Sequence, residues 1–391
     1  MAPNHLAAME ILIAFDKFKE ALSAPEACRI AAREIALHFP TATIHRRPLT
    51  DGGEGFVDTL VDALGGEYRE LTVTGPYGQR VTARWGLLDA TTIPPTARSQ
   101  LNLPAGARRL AVVEMANASG LALTASSERD PWLATSRGIG EVIAAATDAG
   151  VDGIVIGLGG SATNDLGLGA LGALGLTYHS SPDDAIAVPF PATWSTIARI
   201  GGALRPDLPP LRVACDVTNP VLGPRGASAV YGPQKGLQPD DLPRMDAAMA
   251  RMAHQLCAHL RAPDSLIAEP GSGAAGAIAA GFLATGRAQL LPGFDFVSTL
   301  LGLPELVATA DLIVTGEGGF DDSSLEGKGP GSLVTAGLAA GKDVAVFAGR
   351  IQLTMTPVGL SVHPVSPPSL PLAQALRETP QRLAAAVRTG F

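Results

Sequence analysis

The sequence predicts an α/β protein whose doubly wound parallel sheet is assembled from both ends of the chain. Three observations lead there. At each end, short apolar runs alternate with stretches of helical periodicity, the pattern of β-α-β units. Gly-rich turns follow the apolar runs, where ligands bind in open α/β sheets. Between the ends, a hairpin pattern interrupts the alternation and marks a second α/β domain inserted into the first.

At the N-terminal end, Ile11–Phe15 is a buried-strand run. Ser23-Ala-Pro-Glu26 is a capping box with Pro inside the first turn, so a helix starts there and reaches about His38. Thr43–Pro48 reads as a second strand, followed by a helix from about Gly53 to Leu64. At the other end, Asp311–Thr315 and Asp343–Ala348 are strands around a helix at Gly331–Ala340. A final helical stretch, Leu372–Val387, contains Pro380, which is expected to kink or split it.

In the middle, Glu70–Val73 and Val81–Leu87 flank Gly75-Pro-Tyr-Gly78 as an antiparallel hairpin. Strands follow at Leu110–Glu114, Gly153–Gly157 and Leu211–Cys215. Helices are expected near Ser136–Ala149 and after Asp241 and Gly273, and Ile93–Pro104 reads as loop. The expected division is 1–66 with 290–391 for the end-built domain and 67–289 for the insert.

Composition limits what such a protein does. Its 391 residues exceed one core, which stops growing at about 250–300 residues. A net charge of −8 without a basic stretch argues against nucleic acid and anionic membranes as partners. Cys28, Cys215 and Cys257 form no CxxC pair, so neither a disulfide framework nor structural zinc is expected. No signal-like or membrane-spanning run is present, which points to the cytoplasm. The expected partner is a small-molecule substrate, with the chain a monomer or homodimer. Of 29 basic residues, Lys appears only at 17, 19, 235, 328 and 342. Four of these fall in Gly- or Asp-rich segments, where a compact ammonium suits a phosphate site.

Five segments carry chemistry. Asp16-Lys-Phe-Lys19 follows a buried strand directly. Asp51-Gly-Gly-Glu-Gly55 places Asp51 and Glu54 around glycines, as a site or as a capped tight turn. Gly157-Leu-Gly-Gly-Ser-Ala-Thr-Asn-Asp165 offers consecutive N–H groups and hydroxyls as a nest for phosphate. It also fits GxGxxA, although no acidic residue ends a following strand as a dinucleotide site requires. Asp216, after the strand ending at Cys215, is a base, a magnesium ligand or a cap, and Gln234-Lys235 suits a binding loop. Thr315-Gly-Glu-Gly-Gly-Phe-Asp-Asp-Ser-Ser-Leu-Glu-Gly-Lys328 gathers acids, hydroxyls and a lysine beside glycines. No Walker A, HRD or GxSxG signature occurs.

Taken in order, these segments resemble the type I glycerate kinase family. The resemblance runs from Ile13-Ala-Phe-Asp-Lys-Phe-Lys19 to Phe347-Ala-Gly349. It rests on Asp51-Gly-Gly-Glu-Gly55, Gly159-Gly-Ser-Ala-Thr-Asn-Asp165, Cys215-Asp-Val-Thr-Asn-Pro220, Gly232-Pro-Gln-Lys-Gly236, Pro270-Gly-Ser-Gly-Ala-Ala-Gly276 and Thr315-Gly-Glu-Gly318 with Gly327-Lys328. It implies a Rossmann-like domain built from both chain ends with an inserted α/β domain. It also implies transfer of the ATP γ-phosphate to D-glycerate with Mg2+, giving 2-phosphoglycerate.

Phosphoryl transfer then suggests roles, since positioning and charge neutralisation do most of the work. Asp16, Lys19, Asp51 and Lys235 are the catalytic candidates. Glu54, Gln234, Asp321 and Lys328 are candidates for substrate, and Gly159, Gly160, Ser161, Ala162, Thr163 and Asn164 for nucleotide. Asp216 and Glu317 are candidates for the metal. Three positions depart from the family pattern: Lys17 replaces the usual Ser, Glu20 the usual Gly, and Gly319 the usual Arg. A nicotinamide-dependent oxidoreductase, or a non-catalytic metabolite-binding relative, stays open.

Overall fold

The structure, a computed structural model, describes residues 9–326 and 329–391. It divides into two compact units. One comprises Met1–Thr50, Asp58–Gly65 and Val297–Phe391; the other comprises Asp51–Val57 and Gly66–Phe296. Among the described residues, no helix is long and apolar enough to cross a membrane.

The terminal unit holds a five-stranded parallel sheet. Its spatial order is Leu360–Pro364, Asp343–Ala348, Leu312–Gly316, Glu10–Phe15, Thr43–Arg46. Numbered along the chain, that is order 2-1-3-4-5, with the topological switch between Glu10–Phe15 and Leu312–Gly316. The three inner strands are largely apolar and buried because helices cover both faces, whereas the edge strands Thr43–Arg46 and Leu360–Pro364 carry polar residues. Ile11, Ile13, Phe15, Leu312 and Val314 pack with Ala27, Ala31 and Ile35 of the helix Ala24–His38 and with Leu383 and Val387 of Leu372–Gly390. On the opposite face, Gly337 of the helix Pro330–Ala339 lies against Ile313 and Val344.

The central unit holds a six-stranded mixed sheet. Ala288–Leu291, Leu211–Ala214, Gly153–Gly157 and Arg109–Glu114 run parallel, and the hairpin Arg80–Asp89 with Glu67–Thr74 adds an antiparallel edge. Gly153–Gly157 and Leu211–Ala214 are wholly buried, matching their unbroken apolar character.

Four local expectations are corrected. The Ile93–Pro104 stretch contains a helix, Pro95–Leu101. Pro95 needs no N–H in a first turn, Ala97 and Leu101 are buried, and Arg98 donates to the carbonyls of Ala90 and Ala107. Pro380 does not split the last helix, which continues over Leu372–Gly390. Glu378 takes hydrogen bonds from Gln374 and Arg382, bridging the turn where the proline removes a donor. At Ala24–His38 the capping box is incomplete, because the Ser23 hydroxyl lies on the Glu26 carboxylate at 3.3 Å rather than on a backbone N–H. The helix after Gly273 is interrupted near its start, where Ala275, Gly276 and Ala277 have φ of 54°, 72° and 66°.

Candidate active site

The central unit carries a pocket of about 200 Å³ lined by Asp51, Gly160, Ser161, Asp216, Gln234 and Lys235. Gly160 and Ser161 follow the strand Gly153–Gly157 and Asp216 follows Leu211–Ala214, while Gln234 and Lys235 come from the single turn Pro233–Lys235 after the helix Ala227–Tyr231. The loop after Gly153–Gly157 is zipped to the Asp51–Gly55 loop: the Gly159 N–H donates to the Gly52 carbonyl at 3.0 Å. A Cβ on Gly159 would stand 2.4 Å from Gly53 Cα, so only glycine permits this approach. Glu114, 4% exposed at the end of its strand, accepts the N–H groups of Gly55 and Val57 at 3.1 Å each and fixes the same loop from below. Sequence reasoning passed over Glu114; its only signal is an acid closing an otherwise apolar run.

Lys235 is the chemical centre of this pocket. It is 1% exposed, and its ammonium donates to Ser161 Oγ at 2.9 Å and to the Thr163 carbonyl at 2.6 Å. An ammonium has three donors, which leaves one for a ligand. Burial pushes Lys235 down to about 7, and the charge of Asp165 opposes that fall. Asp165 itself is fully buried. Its Oδ2 accepts from the Ser136 N–H at 2.7 Å, Ser136 Oγ at 2.8 Å and Gly169 N–H at 3.3 Å, and its Oδ1 from Gly167 N–H at 3.1 Å. Burial raises this carboxyl while the four donors pull it down. It sits within the motif ending at Asp165, yet its positioning role is visible only in three dimensions.

The expected phosphate nest is narrower than six open residues. The N–H groups of Gly159 and Ala162 are spent on Gly52 and Ser119, and Thr163 and Asn164 are wholly buried. Asn164 Nδ2 donates to Ser228 Oγ at 3.0 Å. Gly160 and Ser161 are the members that line the pocket. No helix begins at this glycine loop; the next one, Leu168–Ala173, starts after Gly167, so the GxGxxA match lacks the helix start that a dinucleotide site needs. Asp216 lines the pocket and also caps a helix: Oδ1 accepts from Gly293 N–H at 2.8 Å and Oδ2 from Phe294 N–H at 3.0 Å. Glu54 is exposed and does not line this pocket.

The terminal unit carries a second, larger cavity of about 860 Å³. Asp16, Lys17, Lys19, Glu317 and Arg350 line it, as do apolar residues of the C-terminal segment such as Val362, Leu370 and Leu376. Its polar end follows Glu10–Phe15 and Leu312–Gly316, the two strands of the topological switch. Glu317 is pushed up to about 7, first by burial and then by the charges of Asp16 and Asp321; a hydrogen bond with Ser324 works the other way. Asp321 acts locally, with Oδ1 accepting Ser323 Oγ at 2.5 Å and Ser324 N–H at 3.1 Å, and does not line the cavity. Lys328 lies outside the described residues.

Of the three positions Lys17, Glu20 and Gly319, Lys17 and Gly319 line this cavity, and Glu20 lies in the adjoining turn. Gly319 pairs in parallel register with Arg350, and a Cβ at Gly319 would meet nothing within 4 Å. Phe18–Ala21 closes a turn through Ala21 N–H to the Phe18 carbonyl at 2.9 Å, with Glu20 at φ 63°. That third turn position, when φ is positive, favours glycine. Glu20→Gly is therefore expected to raise unfolding stability by about 0.5–1 kcal/mol, read from urea denaturation; a lower stability would show that the Glu20 side chain holds the turn.

A divalent cation fits the acids of this cavity. Among the described residues no group of three or more His, Cys, Asp or Glu is arranged to hold a metal. Mg2+, however, commonly takes one or two carboxylates and fills its shell with water and phosphate. Asp16 and Glu317 supply two carboxylates, and the charge of Asp16 contributes to raising Glu317.

Lysines and carboxylates gathered after the carboxyl ends of parallel strands define an α/β protein built around small anions. Residues 11–389 match the Glycerate kinase family, and the chain belongs to that family. It is 39% identical to glycerate kinase of Bacillus subtilis (strain 168), over 88% of this chain and 85% of that one. It is 37% identical to glycerate 2-kinase of Escherichia coli (strain K12), over 88% and 86% respectively. The crystal structure assigned to glycerate kinase 2 of Salmonella typhimurium LT2 superposes with a TM-score of 0.79 at 38% identity, covering 98% of this chain and 97% of that one.

Proposed function

We propose that this protein transfers the γ-phosphate of ATP to D-glycerate, giving 2-phosphoglycerate, with Mg2+ as the metal. The observation that carries the proposal is the buried Lys235 ammonium with a donor to spare in a pocket of about 200 Å³. That volume suits a three-carbon acid and falls below the usual range for nucleotide-sized ligands, about 300–1,000 Å³.

In this scheme Lys235, oriented by Ser161 and the Thr163 carbonyl, binds an anionic oxygen of the acceptor or of the transferred phosphoryl group. Ser161 and the Gly160 backbone shape the wall beside it, and Gln234 adds hydrogen-bonding capacity at the rim. Asp51, whose Oδ1 already accepts the Gly53 N–H at 3.0 Å, is the acid available to take or orient the hydroxyl proton. Asp16 and Glu317 would hold Mg2+, which neutralises charge on phosphate oxygens when bound. Asp216 serves the pocket through the helix that it caps.

The test is an ATP-coupled assay on each glycerate enantiomer, with the product position read by NMR. Phosphorylation of D-glycerate at O2 is the expected result. No phosphoglycerate from either enantiomer would overturn the kinase assignment and favour a metabolite-binding relative, and 3-phosphoglycerate alone would overturn only the position.

Ser161→Ala separates binding from packing in the glycine loop. Gly160 is a poorer probe, because its φ of 73° and a Cβ position 3.2 Å from Ala116 Cβ would strain any side chain. Loss of the Ser161 hydroxyl removes one fixed partner of the ammonium and is expected to raise KM for glycerate by about tenfold, with the melting temperature nearly unchanged. A large fall in melting temperature with normal KM would assign the hydroxyl to packing.

A further inference from the structure

We propose that Arg129 is a positioning residue of the central-unit pocket: its guanidinium ties the Gly160–Ser161 wall to the Gln234–Lys235 wall and so fixes where the Lys235 ammonium points. Its link to glycerate phosphorylation rests on the function proposed above; its geometry does not.

The two walls come from distant parts of the chain, Ser161 and Lys235 being 74 positions apart. A closed circuit of hydrogen bonds joins them. The Leu121 N–H donates to the Gly160 carbonyl at 2.8 Å, and Gly120 pairs with Ser161 in an isolated antiparallel bridge, so the Gly120–Leu121 backbone is fastened to the glycine loop. Arg129 Nη2 donates to the Leu121 carbonyl at 3.2 Å, and its Nη1 donates to the Gln234 carbonyl at 3.4 Å. Lys235 Nζ closes the circuit from the pocket side by donating to Ser161 Oγ at 2.9 Å. Two cationic side chains complete this circuit, and one of them is the ammonium that must be held in place.

The Arg129 backbone clamps the same turn. Gly236, which ends Pro233–Lys235, has φ 96°, and a Cβ there would stand 2.2 Å from the Arg129 carbonyl oxygen. Only glycine allows that approach. The Arg129 segment is itself fixed: Tyr77 Oη accepts the Asp130 N–H at 3.0 Å, and Asp130 Oδ1 accepts the Trp132 N–H at 2.9 Å. A fixed segment that meets the turn through both backbone and side chain can set where the turn sits.

Arginine suits this place for a chemical reason. Carbonyls of two different loops need two donors at a fixed spacing in one plane, which a guanidinium supplies and an ammonium does not. An arginine kept for surface charge would stay in water. This one is half-buried, with its Nε buried and without a hydrogen-bond partner, a cost that the bridge between the two walls offsets.

Two measurements on the full chain test the assignment. In the first, Arg129→Ala and Arg129→Lys are assayed for ATP-dependent phosphorylation of glycerate, each alone and each combined with Lys235→Met. Alone, Arg129→Ala is expected to lower kcat/KM by about 10–100-fold, since a displacement of about 1 Å costs up to about 10². Arg129→Lys, which can reach one carbonyl, should fall between Arg129→Ala and wild type. Combined with Lys235→Met, both should change kcat/KM by less than about twofold, because a residue that acts through Lys235 then has nothing left to position. In the second, acetic anhydride at pH 8 is applied to wild type and Arg129→Ala, and acetylation of Lys235 is read by mass spectrometry. Loss of the bridge should raise labelling of Lys235 by about tenfold and leave Lys342 unchanged. Equal losses with and without the Lys235 ammonium, or unchanged acetylation of Lys235, would overturn the assignment. A wild-type chain that does not phosphorylate glycerate would sink the kinase reading alone, and the acetylation would still decide for Arg129. If Arg129→Ala fails to fold, Arg129→Lys takes its place in both measurements.

Discussion

Replacing Lys235 by Met should lower kcat/KM for glycerate by about 10²–10³-fold, the usual consequence of deleting one preorganised donor to developing charge. Stability should hardly fall. Methionine fills similar space, and a buried ammonium is costly when the fold must keep it from water. The orphaned Thr163 carbonyl works against this, at about 1–3 kcal/mol.

The pH dependence fixes the sign. Lys235 titrates near 7 in the fold, whereas an unfolded lysine titrates near 10.4. Between those values the unfolded state binds more protons, so this residue makes stability rise with pH from about 7 towards 10. Below about 7 both states are protonated and its penalty is fully present. Wild type minus Lys235→Met should show that slope in melting temperature against pH. Anion binding near pH 8 should also take up a proton, seen as a dependence of the calorimetric heat on the buffer's ionisation enthalpy. A wild-type KM independent of pH between 6 and 9, together with unchanged turnover in Lys235→Met, would remove Lys235 from the chemistry.

Asp165→Asn should be the most destabilising polar substitution in the central unit, by about 3–5 kcal/mol. The carboxylate gathers four donated hydrogen bonds from Ser136, Gly167 and Gly169. An amide can satisfy only some of them and turns its own NH2 towards the rest. Loss of the negative charge also removes what opposes the fall of Lys235, so residual activity should shift to lower pH. Urea denaturation with a pH–rate profile checks both. Destabilisation without the shift would make Asp165 a scaffold alone. A stability equal to wild type would show that the loop does not depend on the charge.

Much of the terminal unit was legible beforehand. Ile11–Phe15 and Asp343–Ala348 are uninterrupted apolar runs bounded by polar residues, and such runs have few ways to be buried other than as central parallel strands. The Pro95–Leu101 helix was not legible, because two prolines and short polar residues look like loop until Ala97 and Leu101 find an apolar surface. Pro380 misled for a related reason: the rule against interior proline concerns the backbone, and side chains at Gln374, Glu378 and Arg382 spanned the gap.

The site divides in the same way. Local chemistry singled out Asp51, Ser161, Asp216, Gln234 and Lys235, because charged or hydroxyl groups beside glycines after strands stand out in one dimension. Glu114, Asp165 and Arg350 did not stand out, since their roles depend on what they meet across the fold. Glu114 meets a loop far away in the chain, Asp165 meets Ser136, and Arg350 meets Gly319 in strand register.

The sequence by itself determined the α/β class, the small-anion chemistry and the family, because these are carried by periodicity and by contiguous motifs. Only the tertiary structure decided that Lys235 is buried and shifted to about 7, that part of the glycine loop is spent on packing, and that an apolar cavity stands beside Asp16 and Glu317. Burial, dielectric and cavity volume are sums over residues distant in the chain, and no local pattern encodes them.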